Sequence, residues 1–518
     1  MSKVVVIGSG LSSLASVKTL ISKGLKPIIM DCSLSLNKNS QELKKKVSQL
    51  DKNKWSKSEI EKLTENNTLN NSFPKKLYMG SDFFYFKKNN FLELKMINQS
   101  NDFLPAASHA KNGLSTSWGS AVLPLSNLEK EKYPFNLTDL SRYYDLAIQN
   151  INYVGNKDDL EKQFDLIKTP DQTHEEDTNI DLILKKLEKN SNFNKKFISG
   201  KSRLLANFSN LNGCSRCGQC MSGCFYDHIY KPEHEFNKLI ESKKIEYVPD
   251  VFVDSFEETS DKIIIKYIDN INTHKTLICD KLIVAAGALN STIIHAKSYK
   301  LFNQKFKLLS KNGTVTPLFN LNFQKDNWPN RHTLPLIFLT LFNDKSVDLY
   351  SQISMPNELI IKKLKGSWNK HSLLSKIFCK SFLIAHNNLN SKDSDHYEFY
   401  LNKNKDSTTL VKIEKKNNKN KTVKEKEINK ILNKIFNSAN LFPINFVRKY
   451  TDSQHNGGSL PMVKKAVNPD ETFEDGTSVF SKKVFYVDSS VLPYLPATPI
   501  ALPSMANAMR ITDKINFS

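Results

Sequence analysis

Val4-Val5-Val6-Ile7-Gly8-Ser9-Gly10-Leu11-Ser12-Ser13 is the stretch on which the reading of this chain turns. Four apolar strand-formers run straight into two glycines, and an apolar segment of helical composition comes next. Pro27-Ile28-Ile29-Met30-Asp31 then reads as a second strand closing on an acid. Strand, glycine turn, helix, strand and acid is the order of a dinucleotide-binding unit. Gly8 permits the tight turn, and Gly10 lets the backbone approach a pyrophosphate. The helix N-terminus offers unpaired N–H groups to the phosphates. Asp31 is placed to accept from an adenosine ribose hydroxyl. Ser13 stands where a third glycine is usual, small but bulkier at the helix–strand contact.

Three further blocks share that texture. Asn112-Gly113-Leu114-Ser115-Thr116-Ser117-Trp118-Gly119 is a small-residue loop, and Asp280-Lys281-Leu282-Ile283-Val284-Ala285-Ala286-Gly287 is a buried-type strand ending on glycine. Val484-Phe485-Tyr486-Val487-Asp488-Ser489-Ser490 is a strand that breaks into a polar turn. Pro493, Pro496, Pro499 and Pro503 punctuate the segment after it, and Ser504–Ile511 has helix-forming composition. One nucleotide site assembled from both chain ends explains all four.

In this order the four blocks resemble the glucose–methanol–choline (GMC) oxidoreductases, and the resemblance spans nearly the whole chain. It implies an α/β fold, α+β overall: a Rossmann-like FAD-binding domain plus a substrate domain built on an antiparallel β-sheet. The FAD-binding domain is expected to be discontinuous, from 1–45, 105–130, 201–312 and 456–518. The substrate or cap domain takes 46–104, 131–200 and 313–455. Asn112, Gly113, Ser115, Trp118 and Gly119 are expected along the flavin. Gly287 gives the cofactor room, and Asp488, Ser489 and Pro499 are expected to contact it, Asp488 through its backbone or through water.

The bulk numbers suit such a protein. A chain of 518 residues, 39% hydrophobic and 10% aromatic, can bury substantial cores. No apolar run approaches the roughly 18 residues that suggest a membrane span. The N-terminus lacks a secretory core, so the cytoplasm is the expected compartment. Net charge is +21, from 74 basic against 53 acidic residues. The excess is mostly lysine spread through asparagine-rich linkers, and no nucleic-acid-binding signature accompanies it. No nucleic-acid partner is expected. The basic, apolar stretch 361–384 allows contact with an anionic membrane surface, and equally a cover over the active-site mouth or plain core.

Short polar-bounded β-rich runs at Asp348–Ser354, Ser381–Ala385, His396–Leu401 and Thr409–Ile413 predict the antiparallel sheet. Helices are expected near Lys57–Glu65, Ile180–Leu187 and Lys424–Ala439. Ile245–Phe256 and Lys262–Ile268 alternate as a hairpin would.

Of seven cysteines, four stand in one window, Cys214-x2-Cys217-x2-Cys220-x3-Cys224. That spacing is ferredoxin-like and suits an iron–sulfur cluster of the 4Fe–4S type. Phe225 departs from it where ferredoxins have proline, and Cys279 is the nearest remote fourth ligand. Zinc, held by the four cysteines or by three with His228, is a second reading. An unmetallated scaffold, as in some long-chain alcohol-oxidising GMC relatives, is a third. Cys32 and Cys379 read as packed thiols.

The resemblance also places the chemistry. Gln454-His455-Asn456-Gly457-Gly458 resembles the family's His-x-x-Gly block, which makes His455 the acceptor of the hydroxyl proton. Thr498 aligns with a position the family fills with His or Asn. It can hydrogen-bond substrate oxygen but holds no positive charge. The resemblance therefore implies oxidation of the CH–OH group of a small-molecule alcohol such as a sugar or polyol, with electrons passing to a carrier rather than to oxygen. His386 and His396 lie on the expected substrate sheet. Two rival readings remain open: a flavin and iron–sulfur dehydrogenase reducing a quinone at a membrane, and a catalytically silent flavin- or metal-binding protein.

Overall fold

The computed structural model describes residues 2–64, 79, 94–98, 105–164, 167–174, 177–193, 196–209, 212–321, 332–356, 381–403, 409–444 and 451–517. The basic stretch at 361–380 and Cys379 lie outside them.

Val4–Ile7, buried at every position, is an interior strand of a six-stranded sheet. It pairs in parallel with Ile28–Met30 on one side and Lys281–Val284 on the other. Glu246–Val248 and Ser481–Tyr486 extend the sheet in parallel on the two flanks. Continuous apolar runs form these strands because both faces are covered. The first helix, Leu11–Ser22, packs beside the last, Ala501–Asp513. Thr512 Oγ1 donates to Ser16 Oγ at 2.9 Å, and Ser2 Oγ donates to the Phe517 carbonyl at 2.6 Å. The tail therefore lies directly beside the head, with only strand 281–284 between their strands.

Val251–Glu258 and Ile263–Asp269 form the expected hairpin, and His274–Cys279 adds a third strand that alternation alone did not reveal. The helices Lys57–Thr64, Thr178–Phe193 and Lys421–Ser438 match the expected ones. The second sheet is mainly antiparallel. Its axis is the 15-residue strand Phe306–Asn320. Sequence reading missed this strand, because Pro317 sits inside it and proline argues against a central strand. Ile337–Asn343 was missed too.

Two irregularities on this axis shape the site. Phe382–Leu389 and His396–Lys403 follow one another along strand 306–320, separated by the excursion 390–395. Ser391 in that excursion pairs with Leu495, N to O at 2.9 Å and Leu495 N to Ser391 Oγ at 3.0 Å. The tail loop is thereby docked on the second sheet. Strand Thr451–Gly457 pairs with the same axis, but its register shifts between Ser310↔Asn456 and Asn312↔Asp452. Residues 453–455 thus stand opposite Lys311 alone. Bulges of this kind re-aim side chains.

Candidate active site at the head–tail junction

The glycine turn is built for close backbone packing. Gly8 has φ of +100°, and a Cβ there would meet the Ala285 carbonyl oxygen at 2.5 Å. Gly10 has φ of −76°, and a Cβ would find only the Asn112 carbonyl oxygen, at 3.9 Å. Space beside Gly10 is therefore not used by the protein itself. Ser13, fully buried, donates from Oγ to the Gly8 carbonyl at 2.6 Å, so the third-glycine position locks the turn through its hydroxyl.

Asp31 is buried, and its Oδ2 accepts from Ser9 Oγ (2.8 Å), Ser33 N (3.1 Å) and Tyr247 OH (3.0 Å). Burial nevertheless raises its pKa, against the pull of those donors. The same Ser9 Oγ accepts from Asn112 N at 3.0 Å, which ties the glycine turn to the 112–119 loop. Asn112 takes a left-handed φ of 75°, and its side-chain oxygen accepts from Glu233 N at 2.6 Å. Ser115 Oγ closes the short turn Gly113–Ser117 onto the Asn112 carbonyl at 2.6 Å. Trp118 donates from its indole to the Tyr230 carbonyl at 2.7 Å, and Gly119 comes directly after it.

Asp488 is the pin between centre and tail. Its carboxylate accepts from Gly287 N at 2.8 Å, Ser291 Oγ at 2.5 Å and Ser490 N at 2.8 Å. Those bonds engage both carboxylate oxygens within the protein. Gly287 itself has φ of +88° with nothing within 4 Å of a Cβ. Ser489 donates from Oγ to the Asn456 carbonyl at 3.0 Å, and its own carbonyl accepts from Gly458 N at 2.8 Å. Asn456 and His455 are thus held against the turn after the tail strand. Pro499 leads from that turn toward the last helix.

Several buried polar atoms here have no hydrogen-bond partner: both side-chain atoms of Asn456, Thr498 Oγ1, Ser490 Oγ, Ser504 Oγ and Ser120 Oγ. Each lies in, or within a few residues of, a segment expected along the flavin. A buried polar atom left unpaired costs about 1–3 kcal/mol, and a polar ring system beside the tail loop would give these atoms partners; other unpaired buried atoms, such as the Arg203 guanidinium nitrogens, lie away from this site. The residues present fit FAD. Gly8, Gly10, Ser13 and Asp31 would take its adenosine–pyrophosphate part. Asn456, Ser490, Thr498 and Ser504 would meet the remainder.

One group was not legible in the sequence. Lys311, on the axial strand opposite the bulge, is buried and donates to the carbonyls of Ala497 (3.0 Å) and Thr498 (2.8 Å). Glu129, also fully buried, accepts from Tyr494 OH at 3.0 Å and Val347 N at 3.3 Å. Burial brings the lysine down to about 7 and the carboxyl up to about 7, each opposed by the other's charge. Their only sequence signal is a charged residue inside an otherwise apolar or small-residue setting, which linkers share. His396 lies apart, among Lys307, Asp395, Glu398 and Lys416. His386 is on strand 382–389, facing Val315 and Gln352 in register.

Cys214, Cys217, Cys220 and Cys224 do gather, around one cleft completed by His228, Phe208, Ile229 and Leu334. Arg216 N donates to Cys214 Sγ at 3.4 Å and His228 N to Cys224 Sγ at 3.3 Å. Burial, reinforced by neighbouring thiols, pushes Cys217 up to about 12 and raises Cys214 and Cys224. No group of three or more His, Cys, Asp or Glu side chains among the described residues is placed to hold a metal ion. The zinc and iron–sulfur expectations thus gain no support from a converged site. Cys279 corrects a further expectation. It ends strand 274–279, buried beside Asp280, Lys3 and Lys262, and does not line the cleft.

No family model matches the chain, and no curated protein matches it. Among solved structures it is similar to the crystal structure of pyridoxine 4-oxidase from Mesorbium loti. The match covers 99% of this chain and 98% of that one, with a TM-score of 0.63 and 8% identity. Similarity at that identity establishes the fold alone: this chain shares that enzyme's mixed α/β architecture, a mainly parallel sheet joined to a mainly antiparallel one. No helix among the described residues is long and apolar enough to cross a membrane.

Proposed function

We propose that this chain is an FAD-dependent oxidoreductase acting on the CH–OH group of a small-molecule alcohol. The observation that carries the reading is the glycine turn, whose Gly10 leaves the N-terminus of helix 11–22 open to a phosphate, tied through Ser9 Oγ to the 112–119 loop and lying one strand from the tail, where Asn456, Ser490 and Thr498 carry unpartnered buried polar atoms. The similarity to an oxidase named for an alcohol-bearing substrate agrees with it. Bound FAD would supply the hydride acceptor. In this reading His455, re-aimed by the bulge, takes the hydroxyl proton, and Thr498 Oγ1 orients the substrate oxygen. His455→Ala should leave FAD bound and abolish its reduction by substrate. Unchanged reduction would remove the base assignment, and FAD binding with no substrate reduction in the wild type would favour the silent flavoprotein.

Electrons pass, in this proposal, to a carrier rather than to oxygen. Its support is the cysteine cleft. Cys220 and Cys224 share one apolar cluster with Ala497 of the tail loop, and Trp118 packs on it. An iron–sulfur cluster distributes its thiolates over several irons and does not need them to converge on one ion. Iron and sulfide analysis of anaerobically purified protein tests this. Stoichiometric iron supports the cluster, and its absence leaves the cleft an unmetallated scaffold. The same reading takes the cytoplasm as the compartment and keeps a quinone acceptor at a membrane surface as the alternative.

A further inference from the structure

We propose that Lys311 is a positioning residue of the flavin site: its ammonium form, held behind the tail loop, favours the reduced, more negative cofactor. The inference rests on the FAD reading above and on three observations. Lys311 is 1% exposed, and its ammonium nitrogen lies 2.8 Å from the Thr498 carbonyl and 3.0 Å from that of Ala497. Both partners are acceptors only, which suits a charged donor. The hydroxyl of the same Thr498 is buried and unpartnered, so the loop that Lys311 grips carries a polar group that a cofactor or substrate oxygen could satisfy.

The strand irregularity adds a geometric link. Lys311 is the single residue opposite 453–455, so the cation and His455 share one bulge. Their backbone positions are coupled, and a change at 311 shifts the frame that carries the base. Glu129, buried and bonded to Tyr494 four residues before Thr498 on the same loop, is the acidic group whose charge acts on the lysine.

A positive charge in a dry site acts far more strongly than in water. It stabilises negative charge that develops on a neighbouring group, here a cofactor gaining two electrons from its alcohol. The neutral hydroxyl of Thr498 supplies no such field. With Lys311 behind it, threonine at 498 does not by itself decide between oxygen and a carrier as acceptor.

The test is the midpoint potential of bound FAD, measured at fixed pH against reference dyes in the full-length protein. Lys311→Gln keeps a donor for the two carbonyls and removes the charge, Lys311→Met removes both, and Lys311→Arg keeps the charge. The glutamine and methionine variants should shift the reduced-to-oxidised ratio at least tenfold toward oxidised, about 30 mV for a two-electron couple. The arginine variant should stay within threefold of wild type. Unchanged potential in Lys311→Gln or Lys311→Met overturns the proposal, as does an equal fall in Lys311→Arg, which would point to packing. Should the neutral variants fold without holding FAD, the FAD dissociation constant of Lys311→Arg decides. A wild-type value supports the cation, and a loss matching Lys311→Gln overturns it. A wild type that takes up no flavin would instead sink the FAD reading itself.

Discussion

Gly10→Ala separates the needs of the protein from the needs of its ligand. Gly10 has an ordinary φ of −76°, and an added Cβ would lie 3.9 Å from its nearest neighbour, the Asn112 carbonyl oxygen. That is normal contact, so the methyl meets no clash in the apoprotein. Reduced freedom of the unfolded chain favours alanine by about 0.4–1 kcal/mol, and its poorer fit at the helix N-cap offsets this, so apoprotein stability should stay within about 1 kcal/mol of wild type. The methyl occupies the approach to the N-terminus of helix Leu11–Ser22, where a pyrophosphate would take backbone N–H groups. A hydrogen bond to a charged group contributes about 1.5–3 kcal/mol. Losing one costs about 1.5–3 kcal/mol, which is roughly 10- to 150-fold in affinity. Titrating FAD into apoprotein, followed by fluorescence quenching, reads the binding. Thermal unfolding of the same apoprotein reads the stability. Gly8→Ala is the converse, because its φ of +100° and the Ala285 carbonyl oxygen 2.5 Å from a Cβ put the strain on the fold itself. The apoprotein should lose about 2–4 kcal/mol. If Gly10→Ala binds FAD within threefold of wild type, or destabilises the apoprotein as much as Gly8→Ala, the cradle is misassigned.

Asp488→Ala leaves Gly287 N–H, Ser490 N–H and Ser291 O–H without their acceptor. About 3–5 kcal/mol of stability should go, seen as a lower urea midpoint; a loss under about 1 kcal/mol would mean the pin is not structural. Glu129 should give stability a pH signature. Its folded pKa rises from 4.5 to about 7, so between those values the folded chain keeps a proton the unfolded chain has released. Wild-type stability therefore falls as pH rises through that window. Glu129→Gln should match wild type near pH 4.5 and exceed it by about 1–3 kcal/mol at pH 7; parallel stability curves would refute the assignment.

What could be read from the sequence was what the backbone demands. Gly8 must be glycine for its turn, and Val4–Ile7 must be apolar to lie inside a covered sheet, so both are written in the residues. Asp31 and Asp488 announced themselves as acids closing apolar strands. The axial strand Phe306–Asn320 was hidden by Pro317, which is tolerated where pairing on one side of the strand passes from 451–457 to 441–443. Lys311 and Glu129 were invisible because burial, not residue type, distinguishes them from dozens of solvated lysines and glutamates. The cysteines show the reverse case. Their spacing correctly gathers four sulfurs around one cleft, yet it mistook Cys279, 55 residues beyond Cys224, for a partner when the fold sends it to the core under the first sheet.

The central claim is that chain head and tail close one FAD cradle. Adding FAD to the purified full-length apoprotein while following the thermal midpoint tests it most directly. One FAD per chain, bound saturably and raising the midpoint with concentration, is the predicted result. No uptake, with a midpoint indifferent to FAD, would contradict it.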